Sequence, residues 1–184
     1  MSDILVWTTI RTLQDDALGM PVEIGVHIVN DGGAGSDEDF RHRASANWFV
    51  QWDDIEDHMA DVPPAMRPIL RNTDLTTPYQ EIDKQLSELI DEKRGENGLA
   101  YICGYEISTS LFVMNFLAET AARLNFDHVL DTAPFWMALS QLGMEDRIPR
   151  EFSGRLAMNQ SQDDFDEYIE IISALKIGLE STSD

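Results

Sequence analysis

The side chains of this sequence that could do chemistry are carboxylates. Glu106 lies in a turn before a predicted helix, Asp131 closes a predicted strand, and Asp163, Asp164 and Asp166 lie close together in a later helix. Carboxylate oxygens are the ligands that Mg²⁺ and Mn²⁺ prefer, so these residues could hold a divalent cation. The acids around Asp164 also fit a structural role, because acidic side chains in the first turn of a helix favour the positive end of its dipole.

Other catalytic arrangements are not indicated. The four histidines show no metal-ligand spacing among themselves. Cys103, the only cysteine, lies in an apolar predicted strand, where a buried and inert thiol is expected. The glycine-rich stretch 32–35 lacks the Lys-Ser/Thr ending of a phosphate loop. A single cysteine also excludes a disulfide framework within the chain, which fits a reducing cytoplasm.

The charge balance constrains the partners. The 184 residues carry 34 acidic against 13 basic side chains, a formal charge of −21. Such a surface repels nucleic acid and anionic membranes, and it attracts a basic protein surface. Adaptation to a salty cytoplasm would give the same composition, and the sequence does not separate these two explanations. The acidic residues that we select as binding candidates are Asp53, Asp54, Glu56, Asp57, Asp163, Asp166 and Glu167.

Alternating strands and helices are predicted to position these residues. Ile4–Thr12 and Pro21–Asp31 are dense in apolar and β-branched residues, and the short polar link between them favours antiparallel pairing. Arg41–Trp52 could be a third strand or an irregular aromatic segment, with Trp48 and Trp52 as core anchors. Further strands are predicted at Leu99–Gly104 and Val129–Asp131. Helices are predicted at Ala65–Arg71, Thr77–Arg94 with Thr77 as its cap, Ser108–Leu124, Ala133–Leu142, and from Ser161 onward.

The order of these elements predicts an α/β fold with a mixed central sheet, flanked by helices, in which an antiparallel meander precedes βαβ crossovers. Length predicts a single domain over residues 1–184, with a flexible acidic loop at about 31–40 and a frayed C-terminus at about 180–184. The N-terminus shows no signal peptide, and no stretch approaches the ~20 apolar residues of a membrane span. We therefore expect a cytoplasmic protein, and the sequence predicts no oligomeric state.

Four strings along the chain match one pattern of motifs. They are Leu5–Thr12, Val22–Gly25, Cys103–Phe112 and Asn159–Leu175. In that order they resemble a strand with Asp-x-Glu-Thr, a strand of Ile-Glu-Ile-Gly type, a Gly-Asn strand end leading to a helical Asp, and a His followed by an Asp and an apolar helix. The pattern is similar to that of the DnaQ-like, or DEDD, 3′-to-5′ exonucleases, which have a ribonuclease H-like fold. The Trp48–Trp52 region and the length resemble the phage branch of that family.

The resemblance implies a site of four carboxylates that bind two divalent metal ions, and this sequence lacks most of them. In the alignment that we prefer, the Asp and Glu of the first motif fall on Thr9 and Arg11, and a shift of one residue places them on Thr8 and Ile10 instead. The second-motif Asp falls on Ser110, the His falls on Asn159, and the final Asp is kept as Asp164. Neither register of the first motif supplies an acid.

We therefore expect no catalytic residues and no cofactor, and a protein that acts by binding a basic protein partner. It would serve as an acidic nucleic-acid mimic or as an inhibitor of a nucleic-acid-handling or defence complex. The alternative is an active exonuclease whose rearranged Mg²⁺ or Mn²⁺ site is built from Asp164, Glu106 and Asp131. Arg11 brings positive charge to the place that a metal would occupy, and we expect it to pair with Asp164 or Glu106.

Overall fold

The chain folds around a six-stranded sheet. The structure is a computed structural model that describes residues 3–13, 19–31, 44–105, 107–134 and 156–181, with the backbone alone at 31, 112 and 170–181. The strands are β1 (Asp3–Thr12), β2 (Pro21–Asp31), β3 (Ala44–Val50), β4 (Thr76–Thr77), β5 (Ala100–Gly104) and β6 (Asn125–Asp131). The helices are α1 (Arg67–Leu70), α2 (Tyr79–Lys93), α3 (Ser108–Met114), α4 (Ala118–Ala121) and α5 (Ala157–Ser181), and a 3₁₀ turn lies at Ile55–His58.

The sheet is mixed, with the strand order β4-β3-β2-β1-β5-β6. Strands β1, β2 and β3 form an antiparallel meander, while β5 runs parallel to β1 and β6 runs parallel to β5. Edge strand β4 is parallel to β3. The predicted α/β class, the meander and the crossovers after it are confirmed, and so are the antiparallel pairing of the first two strands and the strand interpretation of Ala44–Val50.

Strand β1 is covered on both faces, which explains its nearly continuous apolar sequence. Ile4 and Val6 belong to a large core together with buried residues of α2 and α3. Trp7, one position along, points to the other face and packs with Phe165 of α5 and with Cys103, whose predicted burial is confirmed. Since side chains alternate along a strand, each β1 position belongs to one of these two layers.

Helix α2 begins later than predicted, and the proposed Thr77 cap is wrong. Thr77 lies in β4, where it pairs with Val50 and its carbonyl accepts a hydrogen bond from the Gln51 amide at 2.9 Å. Pro78 occupies the N-cap position and makes no side-chain cap. Thr77 therefore belongs to the edge strand of the sheet, whereas the local sequence pattern predicted that it caps the helix.

The predicted Ser108–Leu124 helix is two short helices, α3 and α4, separated at 115–117. Asp83 of α2 accepts hydrogen bonds from the amides of Glu119 and Thr120, at 2.9 and 2.8 Å. These amides open α4 and would otherwise lack partners at a helix start. A buried carboxylate on a neighbouring helix therefore fixes where α4 begins.

Helix α5 begins at Ala157, four residues before the predicted start at Ser161. Ser161 lies one turn inside the helix and is fully buried against the sheet. Asp163, Asp164 and Asp166 consequently lie beyond the first turn, which contains no acidic residue. The explanation of these acids by the helix dipole is therefore wrong.

Several predictions of the sequence analysis fall outside the described residues. They concern most of the acidic loop at 31–40, most of the Ala133–Leu142 helix, the chain end at 182–184, and Glu106. Trp48 is buried and Trp52 packs half-buried against the core, so their role as core anchors is confirmed. Among the helices in the described part of the chain, none is long and apolar enough to cross a membrane.

Gly25 of β2 is the position where α5 approaches the sheet most closely. A Cβ atom there would lie 2.1 Å from the Met158 nitrogen and 2.2 Å from the Ala157 carbonyl carbon, both backbone atoms of α5. We expect Gly25→Ala to lower the free energy of unfolding by about 3 kcal/mol, because the helix must move away from the strand. Urea denaturation followed by circular dichroism measures this loss.

Gly104→Ala provides the matched comparison. Its Cβ would meet the Ile107 Cδ1 atom and the Thr8 carbonyl oxygen, each at 2.9 Å, and the first of these can rotate away. We expect a smaller loss, about 1–2 kcal/mol. Equal stability of Gly25→Ala and the wild type would contradict the close docking of α5.

Candidate functional site

The carboxyl end of β1 carries the first-motif positions, and it presents them to two different layers. Thr8 is buried, and its Oγ1 atom lies 2.8 Å from Ser110 Oγ and 3.3 Å from the Cys103 carbonyl oxygen. Ser110 is also buried, near the start of α3. In the shifted register, Thr8 takes the place of the first-motif Asp, and Ser110 takes the place of the second-motif Asp. Two neutral hydroxyl groups are therefore in contact at these two positions.

Thr9 points to the opposite layer, toward α5. The Ser161 hydroxyl lies 3.0 Å from Thr9 Oγ1 and 3.2 Å from the Gly25 carbonyl oxygen. Arg11 is on the same side of the strand, since it bonds to Glu23, which in turn contacts the start of α5. The register that we preferred, Thr9 and Arg11, thus lies with the helix that carries Asn159 and Asp164, while Thr8 lies with Ser110.

Glu23 is the buried charge around which this end of the sheet is assembled. Its carboxylate is fully inaccessible to solvent and accepts hydrogen bonds from Arg11 NH1 at 2.5 Å, Asn47 Nδ2 at 3.0 Å and the Ala157 amide at 2.9 Å. Asn47 also accepts a hydrogen bond from the Met158 amide at 3.0 Å. Side chains of β2 and β3 therefore cap the first turn of α5.

The Glu23 contacts were missed by the sequence analysis, which quoted this residue only as part of a strand motif. The structure pairs Arg11 with Glu23, its cross-strand neighbour in the β1–β2 ladder. A signal for it existed: a lone carboxylate in an apolar strand needs a cation or hydrogen-bond donors to be buried. The expected pairing of Arg11 with Asp164 or Glu106 stays a prediction.

The remaining candidate site residues are distributed over two elements. Asp164 of α5 is buried with 4% exposure, Asn159 is half-buried, and Asp166 is exposed. Asp131 is half-buried at the end of β6, where its Oδ1 atom accepts a hydrogen bond from the Ala133 amide at 3.0 Å. Within the ranges that the structure describes, which exclude Glu106, no three His, Cys, Asp or Glu side chains are grouped to hold a metal ion.

The second group of candidates lies on an exposed segment after β3. We call Asp53–Asp61 the acidic segment, and its acidic residues Asp53, Asp54, Glu56, Asp57 and Asp61 are all exposed. Ile55 and Met59 of this segment are buried in a small core with Val22, so the backbone is anchored to the sheet. The acidic segment therefore presents its carboxylates from a fixed support.

One of these carboxylates is neutralised and others are not. Glu56 forms a two-pronged pair with Arg71, at 2.8 and 3.0 Å, and the Arg71 guanidinium lowers the pKa of Glu56 below its ordinary value. Asp54 lies 3.8 Å from His58. Asp53, Asp57 and Asp61 form no hydrogen bond or ion pair through their side chains with any other described residue, which leaves negative charge available at this surface.

A scan of the chain against protein-family models finds no match, and a search of curated proteins finds no significant match. Neither comparison bears on the exonuclease resemblance, which stays a prediction.

Replacement of Glu23 tests its place at the centre of the α5 attachment. Glu23→Ala leaves the Arg11 guanidinium and the first amide of α5 without their acceptor, so we expect the free energy of unfolding to fall by about 3–5 kcal/mol. Glu23→Gln keeps an oxygen acceptor and the side-chain volume, and should lose less, about 1–3 kcal/mol. Glu88→Ala on the exposed face of α2 is the control, and a similar loss there would contradict the special role of Glu23.

The Thr8–Ser110 contact allows a designed test of whether this place can hold a cation. In Thr8→Asp/Ser110→Asp two carboxylates would replace hydroxyls that are 2.8 Å apart, so their repulsion should lower the melting temperature. Mg²⁺ or Mn²⁺ should restore part of that loss by binding between them. Thr8→Asn/Ser110→Asn has the same shape without charge and should not respond to the metal in a thermal-shift measurement. An equal metal response of both variants would contradict a site between positions 8 and 110.

Proposed function

We propose that this chain is a DnaQ-like protein with a ribonuclease H-like fold that has lost nuclease chemistry and acts, in the cytoplasm, by binding a basic protein. In this proposal it is an acidic mimic of nucleic acid, of phage type, that inhibits a nucleic-acid-handling or defence complex. The observation that carries the proposal is the Thr8–Ser110 contact. In the register that places the first-motif Asp on Thr8, two hydroxyls meet where the resemblance calls for two metal-binding carboxylates.

The topology supports the fold part of the proposal. An antiparallel meander of β1, β2 and β3 is followed by two strands parallel to β1, and β1 is central in the sheet. This is the strand arrangement that the resemblance implies. The elements that carry the second and third motifs also contact the carboxyl end of β1. Ser110 of α3 bonds to Thr8, and Ser161 of α5 bonds to Thr9.

The environment of β1 supports the loss of metal chemistry. Arg11 supplies a fixed positive charge at the end of the strand, and the nearby carboxylate of Glu23 is already occupied by three hydrogen-bond donors. A hard divalent cation binds where several oxygen ligands, most of them anionic, converge. On the α5 face of β1 the Arg11 guanidinium would repel such a cation, and on the α3 face the Thr8 and Ser110 hydroxyls are weak ligands.

The charge distribution supports binding to a basic partner. The buried acids Glu23 and Asp83 hold helix starts, whereas the acidic segment is exposed and includes carboxylates without partners among the described residues. Duplex DNA presents about one negative charge per 1.7 Å of its axis, and a basic groove that binds it is attracted to any dense array of carboxylates. The net charge of −21 makes this chain such an array.

A nuclease assay tests the first half of the proposal. Labelled single-stranded DNA and RNA, each with Mg²⁺ or Mn²⁺, should show no shortening over time when incubated with the wild-type protein. Cleavage by the wild type that disappears in Asp164→Ala would establish the alternative, an active exonuclease with a rearranged site. A comparable preparation of Asp163→Ala serves as the control, since it removes a neighbouring carboxylate that is not at a motif position.

The salt dependence of binding tests the second half. Immobilised protein should capture a basic protein from the lysate of its native host, and duplex DNA should compete with that capture. Binding should weaken strongly between roughly 0.1 M and 1 M salt, over which the Debye length falls from about 10 to about 3 Å. Capture that is indifferent to both salt and DNA would contradict an electrostatic mimic.

A further inference from the structure

Three aromatic side chains from separate elements form a continuous row on the surface. Trp52 follows β3, Tyr79 begins α2, and Phe116 follows α3. The ring centroids of Trp52 and Tyr79 are 5.1 Å apart in an edge-on contact, and those of Tyr79 and Phe116 are 6.5 Å apart. The row therefore bridges the sheet edge, the longest described crossover helix and the α3–α4 junction.

The row is rigid at one end and open at the other. The Trp52 indole nitrogen donates a hydrogen bond to the Pro21 carbonyl oxygen at 2.8 Å, which fixes that ring against β2. Burial raises the pKa of the Tyr79 hydroxyl above its ordinary value, so the ring stays neutral at physiological pH. Phe116 is 59% exposed, so its ring presents apolar surface to the solvent beside the Tyr79 ring.

Negative charge follows the Trp52 end of this aromatic row in the chain. Asp53 and Asp54 follow Trp52 in the chain and are both exposed, and the rest of the acidic segment continues from them. Protein interfaces place aromatic anchors at their centre and polar or charged groups around them. An Arg side chain is suited to such a surface, because its guanidinium can stack on an aromatic face while it pairs with a carboxylate.

We propose that the Trp52–Tyr79–Phe116 row and the acidic segment together form the docking surface for an arginine-bearing segment of a basic protein. This inference rests on the proposed function and names the surface that performs it. Single-stranded nucleic acid also stacks on aromatic rows, but it requires a basic groove for its backbone, and the two residues that follow Trp52 are exposed aspartates.

Labelled peptides of ten arginines and ten lysines, together with a labelled oligothymidine, probe the surface by fluorescence anisotropy. We expect the wild type to bind the arginine peptide more tightly than the lysine peptide, and the oligothymidine most weakly. Phe116→Ala should weaken the arginine peptide by about two- to fivefold, which is the range for one exposed cation–π contact. Asp53→Asn/Asp54→Asn should weaken both peptides.

Matched controls lie at the opposite end of the sheet. Leu99 is 43% exposed, and its carbonyl oxygen accepts a hydrogen bond from the Ile4 amide, so it lies at the start of β1. Trp52 bonds to Pro21, which pairs with Thr12 at the other end of β1. At about 3.3 Å per strand residue, these ends are roughly 25 Å apart. Leu99→Ala should leave arginine-peptide binding unchanged, and Glu92→Gln/Glu96→Gln should reduce it less than the Asp53/Asp54 variant.

Spectra of ¹⁵N-labelled protein provide a second measurement that does not depend on any variant. The arginine peptide should shift the indole resonance of half-buried Trp52 and leave that of fully buried Trp7 in place. Shifts at Trp52, together with the variant effects, support the docking surface.

The outcomes separate the two proposals. If the arginine peptide binds in a salt-sensitive manner but Phe116→Ala and Asp53→Asn/Asp54→Asn bind as well as their controls, the docking surface is wrong and the proposed function stands. If the oligothymidine binds more tightly than either peptide, both proposals are overturned.

Discussion

The structure depends on one buried carboxylate, that of Glu23. A charge in the interior of a sheet is costly unless it is paired and fully hydrogen-bonded. Here Arg11 supplies the opposite charge, while Asn47 and the first amide of α5 supply the remaining donors. The absence of a side chain at Gly25 lets the helix backbone approach the strand at this point. Helix α5 is thereby placed over Trp7 and closes the second layer of the core.

This arrangement also decides what the end of β1 can do. Because the Arg11 guanidinium belongs to the Glu23 network, the positive charge at that end is part of the support of α5. On the other face, Thr8 and Ser110 satisfy each other through their hydroxyls. Contacts among protein groups thus hold the end of β1 on both of its faces.

The acidic residues fall into two groups with different physical roles. Glu23 and Asp83 are buried and satisfy the orphan amides of α5 and α4, so they specify where helices begin. The exposed acids of Asp53–Asp61 stand on a backbone that Ile55 and Met59 anchor in a core of their own. Large net negative charge therefore coexists with a folded interior, since the repulsion is carried at the surface, where water and salt screen it.

The elements with a local signal could be predicted from the residue pattern alone. Apolar, β-branched runs predicted β1, β2 and β5, because strands covered on both faces must be apolar throughout. The short polar link predicted the antiparallel pairing of β1 with β2. Tertiary structure decided the rest. The local pattern predicted a helix cap at Thr77, but that residue pairs with β3 at the sheet edge. It predicted a helix start at Ser161, but the caps from Glu23 and Asn47 place the start at Ala157. It predicted one helix over 108–124, but Asp83 fixes the start of a second helix within that range. The register of the first motif could not be settled from sequence either, since a shift of one residue moves a strand side chain to the opposite face. Only packing shows that Thr8 meets Ser110 while Thr9 meets α5.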